Sequence, residues 1–261
     1  MPNNVVPSQF GFRFGDKGTH TSRTIMLAEL SALLEGLPAE STRADYLAAI
    51  IEHNALGKQT AATRKLTAQR LSELYVLDPN VALFRVLRRF WQDDAAGRPL
   101  LALLCALARD PLLRATAEPV LAMTSGEELS RQKITDAIGA AAGDRLNEAT
   151  LDKVVRNVSS SWTQSGHLEG RVRKFRQIVR PTPLATAYAL MLGYLEGLRG
   201  GRLFETQWTK VLDASPAELR YVAAEAKRLH GLDLKSAGDV IEVGFTTVLT
   251  PQEIKDSRVT H

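Results

Sequence analysis

Residues 127–180 read EELSRQKITDAIGAAAGDRLNEATLDKVVRNVSSSWTQSGHLEGRVRKFRQIVR. Two amphipathic stretches are joined by a short polar turn and followed by a glycine-punctuated basic run. Ser125-Gly126-Glu127-Glu128 opens a first helix that runs to about Ala142 and is closed by Gly143. Asn147 and Thr150 are candidate caps for a second helix, which reaches about Thr163. In that second helix Leu151, Val154, Val155, Val158 and Trp162 fall on one side at about 100° per residue and are expected to bury. Lys153, Arg156, Asn157, Ser160 and Gln164 fall opposite, with no Asp or Glu among them. Cations, amides and a hydroxyl are the side chains that phosphates and base edges accept, and an acid in that stripe would repel phosphate.

Behind the helix, Gly166 suits a helix C-terminus and Gly170 a hairpin turn. The run 171–180 carries Arg171, Arg173, Lys174, Arg176 and Arg180 with no anion, and a strand is expected over Lys174 to Val179. Helix, turn, helix, basic hairpin is the order of a winged helix-turn-helix, whose second helix enters the major groove while the wing touches backbone. Roughly five to eight phosphate contacts from helix and wing together make for steep salt dependence. The competing reading is a solvated helix beside a basic hairpin. The absence of acids from the stripe and the placement of the hairpin weigh against it.

Outward from this segment the chain is mainly α. Helices are expected at about Thr21–Glu35, Thr42–His53, Thr60–Leu77, Asn80–Gln92, Pro99–Arg109, Pro111–Met123, Leu184–Leu198, Leu203–Leu212 and Pro216–His230, and further strands at Gln9–Phe14 and Val240–Val248. The polar, breaker-rich stretch from Asp93 to Pro99 is read as a domain boundary. It separates an N-terminal, bundle-like helical domain (1–95) from a winged-helix domain with a helical C-terminal part (96–261, core about 125–182). A second helix-turn-helix outline lies in the first domain, over Thr42–His53, the turn at Asn54 to Gly57, and Thr60–Leu77. Its cations Lys58, Arg64, Lys65 and Arg70 form a possible second DNA contact, although Arg70 shares the side of Leu66 and Leu74, which favours packing with snorkelling arginines.

Across 261 residues, 33 Lys and Arg face 29 Asp and Glu, a net charge of +4 that favours a polyanion only where it is clustered. The one cysteine, Cys105, sits in an apolar run, reads as a small buried hydrophobe, and points to a reducing cytosol. No secretory signal is evident, and the longest apolar run, Leu100 to Ala108, is too short for a bilayer, so no membrane partner is expected. His20, His53, His167, His230 and His261 show no metal-ligand spacing, Gly15 to Thr19 lacks the spacing of a phosphate loop, and no nucleophile elbow or dinucleotide fingerprint is present. The expectation is a non-enzyme without catalytic residues, metal or cofactor.

Taken in order, Arg23, His53-Asn54, Thr63-Arg64, Arg70-Leu71, Arg109-Asp110, the run Trp162 to Leu168, Tyr194 to Leu198, Trp208 and Gly238 to Val243 resemble BrxA, a small component of the BREX (bacteriophage exclusion) defence systems. The resemblance covers about Phe10 to Val248. It implies a mostly helical cytoplasmic protein with helix-turn-helix character. Such a protein binds DNA without modifying or cutting it, and serves beside a methyltransferase and large ATPases. Two further readings stand next to a DNA-binding accessory factor: a protein–protein adaptor within the defence complex, and a winged-helix transcriptional regulator.

Overall fold

Most of the helices begin where the chain supplies a side-chain oxygen for the free N–H groups of a first turn. Thr42, Thr60, Asn147, Thr206, Ser215 and Thr250 each accept from the backbone N–H three residues on, and Thr42, Ser215 and Thr250 complete capping boxes with Asp45, Glu218 and Glu253. The structure is a computed structural model that describes residues 8–15, 18–237 and 240–258. Its α-helices in chain order are α1 (Leu27–Glu35), α2 (Arg43–Ile51), α3 (Ala61–Tyr75), α4 (Ala82–Asp93), α5 (Arg98–Arg109), α6 (Pro111–Ala115), α7 (Ala117–Leu121), α8 (Arg131–Ala142), α9 (Glu148–Gln164), α10 (Pro183–Leu195), α11 (Gln207–Lys210), α12 (Pro216–Arg228) and α13 (Pro251–Asp256). Two antiparallel hairpins complete it, β1 (Leu168–Glu169) with β2 (Phe175–Arg176), and β3 (Asp233–Ala237) with β4 (Val240–Gly244).

A helix that is apolar all round has to be central. Both such helices are: α5 is buried from Leu100 to Arg109 and α10 from Leu184 to Leu195. They pack on each other, with α3 and α4 against α5 and with α11 and α12 against α10. Cys105 lies at the centre, where burial pushes its thiol up to about 11. One hydrophobic cluster runs from Phe10 to Leu249, so the residues on either side of the Asp93–Pro99 turn share a core. That turn is pinned by Asp94, whose carboxylate accepts from Gly97 N (2.8 Å) and Thr182 Oγ1 (2.5 Å).

Several elements depart from expectation for local reasons. The alternating aromatics of Gln9–Phe14 do not form a strand. Gly11 takes φ +108°, and the thread is held instead by Leu83 N bonding Phe10 O and Arg13 N bonding Ala108 O. The helix expected from Thr21 starts at Leu27, because Thr19–Thr21 is a 3-10 turn and Met26 is left-handed (φ 52°). The stretch Pro111–Met123 breaks at Thr116, whose hydroxyl turns back onto Leu113 O and also accepts from the Trp162 indole. The helix expected from Ser125 begins only at Arg131, and Glu127 to Leu129 runs extended. Leu203–Leu212 resolves into a 3-10 stretch, Gly200–Glu205, and the short α11.

Candidate nucleic-acid interface

The geometry of α9 decides what it can present. Asn147 caps it through Thr150 N (2.8 Å), and Val154, Val155, Val158 and Trp162 are buried as their spacing requires. Its neighbour on that side is α8, joined to it by a short turn. A hairpin follows at once. Leu168 pairs with Arg176 and Glu169 with Phe175, while the extended segment before α8 pairs on the other edge of β2: Leu129 N bonds Lys174 O (2.8 Å) and Arg176 N bonds Glu127 O (2.9 Å). Three extended segments therefore root the loop 170–174 beside α9. Gly170 makes its turn possible, since φ is +110° and an added Cβ would lie 2.1 Å from Arg173 O.

Between this loop and α9 lies a groove of about 820 Å³. Its cationic lining comprises Arg131, Arg156, Arg171, Arg173 and Lys174, with Ser159, Ser160 and Thr163 on the helix wall and Glu128 as the one carboxylate among the described residues that line it. Lys174 ties the two walls, its Nζ donating to Thr163 Oγ1 (2.8 Å) and Gly170 O (3.2 Å), and burial lowers its pKa. Arg173 bonds Glu128 through Nε (2.8 Å) and Nη2, and this hydrogen-bonded pairing holds the Glu128 carboxyl below its ordinary value. Arg131 pairs with Asp152 at 2.6 Å, both well exposed. Arg156 and Arg171 are exposed, and among the described residues no ion pair takes up their charge. At the tip, Val172 is 92% exposed.

The expected stripe is thus divided. Lys153, Arg156 and Ser160 face outward or sit half-buried, and Arg156 and Ser160 line the groove while Lys153 lies outside it. Asn157 and Gln164 turn the other way, against the thread 19–27. Asn157 Nδ2 donates to His20 O (2.7 Å), and Gln164 Oε1 accepts from Leu27 N (3.1 Å), capping α1, whose own cap residue Met26 supplies no side-chain acceptor. These two amides are scaffold groups. Nor is the outward face free of acids, since Asp152 borders it. In the basic run Arg171, Arg173 and Lys174 belong to the loop and line the groove, and Arg180 is exposed beyond it. Arg176 is a correction. Its side chain is 1% exposed and ion-paired with Asp213, whose other oxygen accepts from Val179 N (3.0 Å), so it anchors the hairpin from below. His167 braces the same root, with Nδ1 2.9 Å from Ser165 Oγ and Nε2 2.8 Å from Val211 O, and burial pushes its pKa down to about 4.

The helix pair α2–α3 also forms as expected, but its cations are partly spoken for. Lys58 pairs with Glu29 (3.0 Å) and Arg70 with Glu73 (2.7 Å), Arg64 is half-buried, and Lys65 remains exposed on the wall of a separate groove with Arg13 and Arg43. Sequence periodicity missed the other partners in the main groove, Glu128, Arg131, Ser159 and Thr163. The acids that answer Arg131 and Arg173 sit 21 and 45 residues away in the chain, a pairing no local pattern carries.

A second polar cluster lies behind α9. His20 Nδ1 is 2.8 Å from Asp110 Oδ2 and His20 Nε2 is 2.8 Å from Ser161 Oγ, the residue types and order of a hydrolase triad. Here all three side chains are shut away from solvent, and Ser161 Oγ already accepts from Ile25 N (3.0 Å) and donates to Asn157 O (2.9 Å). Burial alone would raise the Asp110 pKa, but His20 beside it and the N–H groups of Leu113 and His20 hold it at about 2. The cluster ties the thread 19–27 to the inner side of α9 and to the cap of α6.

No protein-family model and no curated protein matches this chain. Among the described residues, no helix is long and apolar enough to cross a membrane, and no group of three or more His, Cys, Asp or Glu is placed to hold a metal ion.

Proposed function

We propose that this chain binds double-stranded DNA in the groove between α9 and the loop 170–174, as an accessory protein of a BREX-like phage-defence system that carries no catalytic site of its own. The observation that carries this reading is the groove itself, with five cations and one carboxylate on walls held apart by a rooted hairpin. The order α7, extended segment, α8, α9, β1, loop, β2, with the extended segment paired to β2, supports reading the region as a winged helix-turn-helix. Arg156 and Ser160 then point at the duplex from α9, and Arg171, Arg173 and Lys174 take phosphates from the wing.

Several of the residues behind the resemblance to BrxA hold the scaffold of this chain together. Arg109 bonds Gly11 O, Glu73 O and Ser72 O, Asp110 caps α6, the Trp162 indole bonds Thr116, and the Trp208 indole donates to Glu196 (2.7 Å). Gly238 and Asp239 of that pattern lie outside the described residues.

The test is fluorescence anisotropy with a labelled 25-base-pair duplex of arbitrary sequence. Charge reversal of Arg156 and Arg171 together is expected to weaken binding by about tenfold or more near 0.1 M salt, and by more as salt is lowered. Unchanged affinity overturns the assignment of this groove. The adaptor reading draws on the other groove, where Arg13, Arg43 and Lys65 rim the partly buried Leu47, Ile51 and Val76. It gains if charge reversal at Arg43 and Lys65 abolishes pull-down of defence components while duplex binding persists.

A further inference from the structure

A carboxylate in a phosphate-binding groove works against the ligand, so Glu128 needs a reason. It is placed with care: the backbone of Glu127 to Leu129 is fixed by pairing to β2, which fixes where the Glu128 side chain starts. Its two oxygens take both faces of the Arg173 fork, Nε and Nη2, the same bidentate geometry with which a guanidinium grips a phosphate. While that pair stands, the Nε–Nη2 edge of Arg173 is taken and its charge is offset, leaving only the Nη1 end for another ligand. Yet the pair is open to water, with the arginine 69% and the glutamate 43% exposed, so it exchanges readily. Arg156 and Arg171 carry no such restraint.

Resting on the DNA-binding reading above, we infer that Glu128 is an internal competitor for phosphate, which must yield the Nε–Nη2 edge of Arg173 before that edge can engage a duplex. It reduces affinity for every polyanion by a similar factor. A duplex offsets that loss through further contacts with Arg156 and Ser160 on α9. The occupant of Arg173 is thus carboxylate in the free protein and backbone phosphate in the complex.

The experiment is an anisotropy titration of wild type, Glu128→Gln, Glu128→Asp and the double variant Glu128→Gln/Arg173→Ala against a random-sequence duplex at several salt concentrations. Glu128→Gln is expected to bind roughly 3- to 10-fold tighter near 0.1 M salt, with a slope of log affinity against log salt steeper by up to about 0.9, because the wild-type carboxylate, once released, takes up a cation and offsets part of the counterion release. Glu128→Asp, which keeps the charge, is expected to stay near wild type, and removing Arg173 is expected to erase the gain. A Glu128→Gln protein of unaltered melting temperature that binds no more tightly, or with an unchanged slope, overturns the inference while leaving the DNA-binding reading in place. Wild-type protein that fails to bind duplex even at low salt overturns that reading, and the inference with it.

Discussion

His20, Asp110 and Arg176 are ionisable side chains held where water does not reach, Arg176 against the largely buried Asp213, and each depends on its partner. Removing one member leaves a buried charge without an answer, which costs about 3–5 kcal/mol where such pairs have been broken. His20→Ala and Arg176→Ala are each expected to lower stability by about that much, read as a shift in urea midpoint with unchanged slope. Arg173→Ala, three residues before Arg176 but solvent-exposed, is expected to leave the midpoint where it is while weakening duplex binding. Equal destabilisation by Arg173→Ala and Arg176→Ala would contradict the division between groove and anchor. The sequence showed five cations within ten residues; it could not show that Asp213, 37 residues on, claims Arg176.

At the scale of elements, α9 was legible on the side that buries. Val154, Val155, Val158 and Trp162 repeat at helical spacing, and that spacing has one physical cause, packing against α8 and the core. Its polar side was legible only in part, because two different neighbours meet it. Arg156 and Ser160 face the groove, whereas Asn157 and Gln164, one step round, bond the thread 19–27. Amides suit a base edge and a backbone carbonyl equally well, so composition could not separate the two uses. The hairpin was legible from Gly170 and the basic run, but its third partner, Glu127 to Leu129, was absorbed into the predicted helix. Two element-level predictions follow from these roles. Asn147→Ala removes the cap of α9 and is expected to cost about 1 kcal/mol in urea unfolding. Gly170→Ala forces a side chain onto Arg173 O at positive φ, and should distort the loop enough to cut duplex affinity even where circular dichroism shows the helices intact.

For the whole molecule, two buried groups contribute to the acid side of the stability profile. His167 titrates at about 4 when folded, against 6.5 unfolded, so the unfolded chain takes up the extra proton first and stability falls as pH drops from about 6.5 to 4. Asp110 titrates at about 2 against 3.8; its contribution is complete above 3.8 and is lost as pH falls towards 2. Melting temperature is therefore expected to decline in two successive windows below neutrality, and His167→Gln to flatten the upper one. A profile level from pH 6.5 to 4 would contradict the burial of His167 under the hairpin. That the chain is mainly helical was readable at this scale, because helical periodicity runs through almost the whole chain. The shared core was not, since the Asp93–Pro99 turn looks like a linker until Asp94 and Thr182 are seen to close it.

The central claim is positional: a duplex lies against the outward wall of α9. Cys105 is buried and so leaves an introduced thiol as the accessible one. A benzophenone maleimide can then be placed at Ser160→Cys in the groove or at Tyr221→Cys, an exposed site on α12, which packs against α10 and the second hairpin. On irradiation with bound 25-base-pair duplex, the account predicts a cross-link to DNA from position 160 and none from 221. Cross-linking from 221 alone, or equally from both positions, would contradict it.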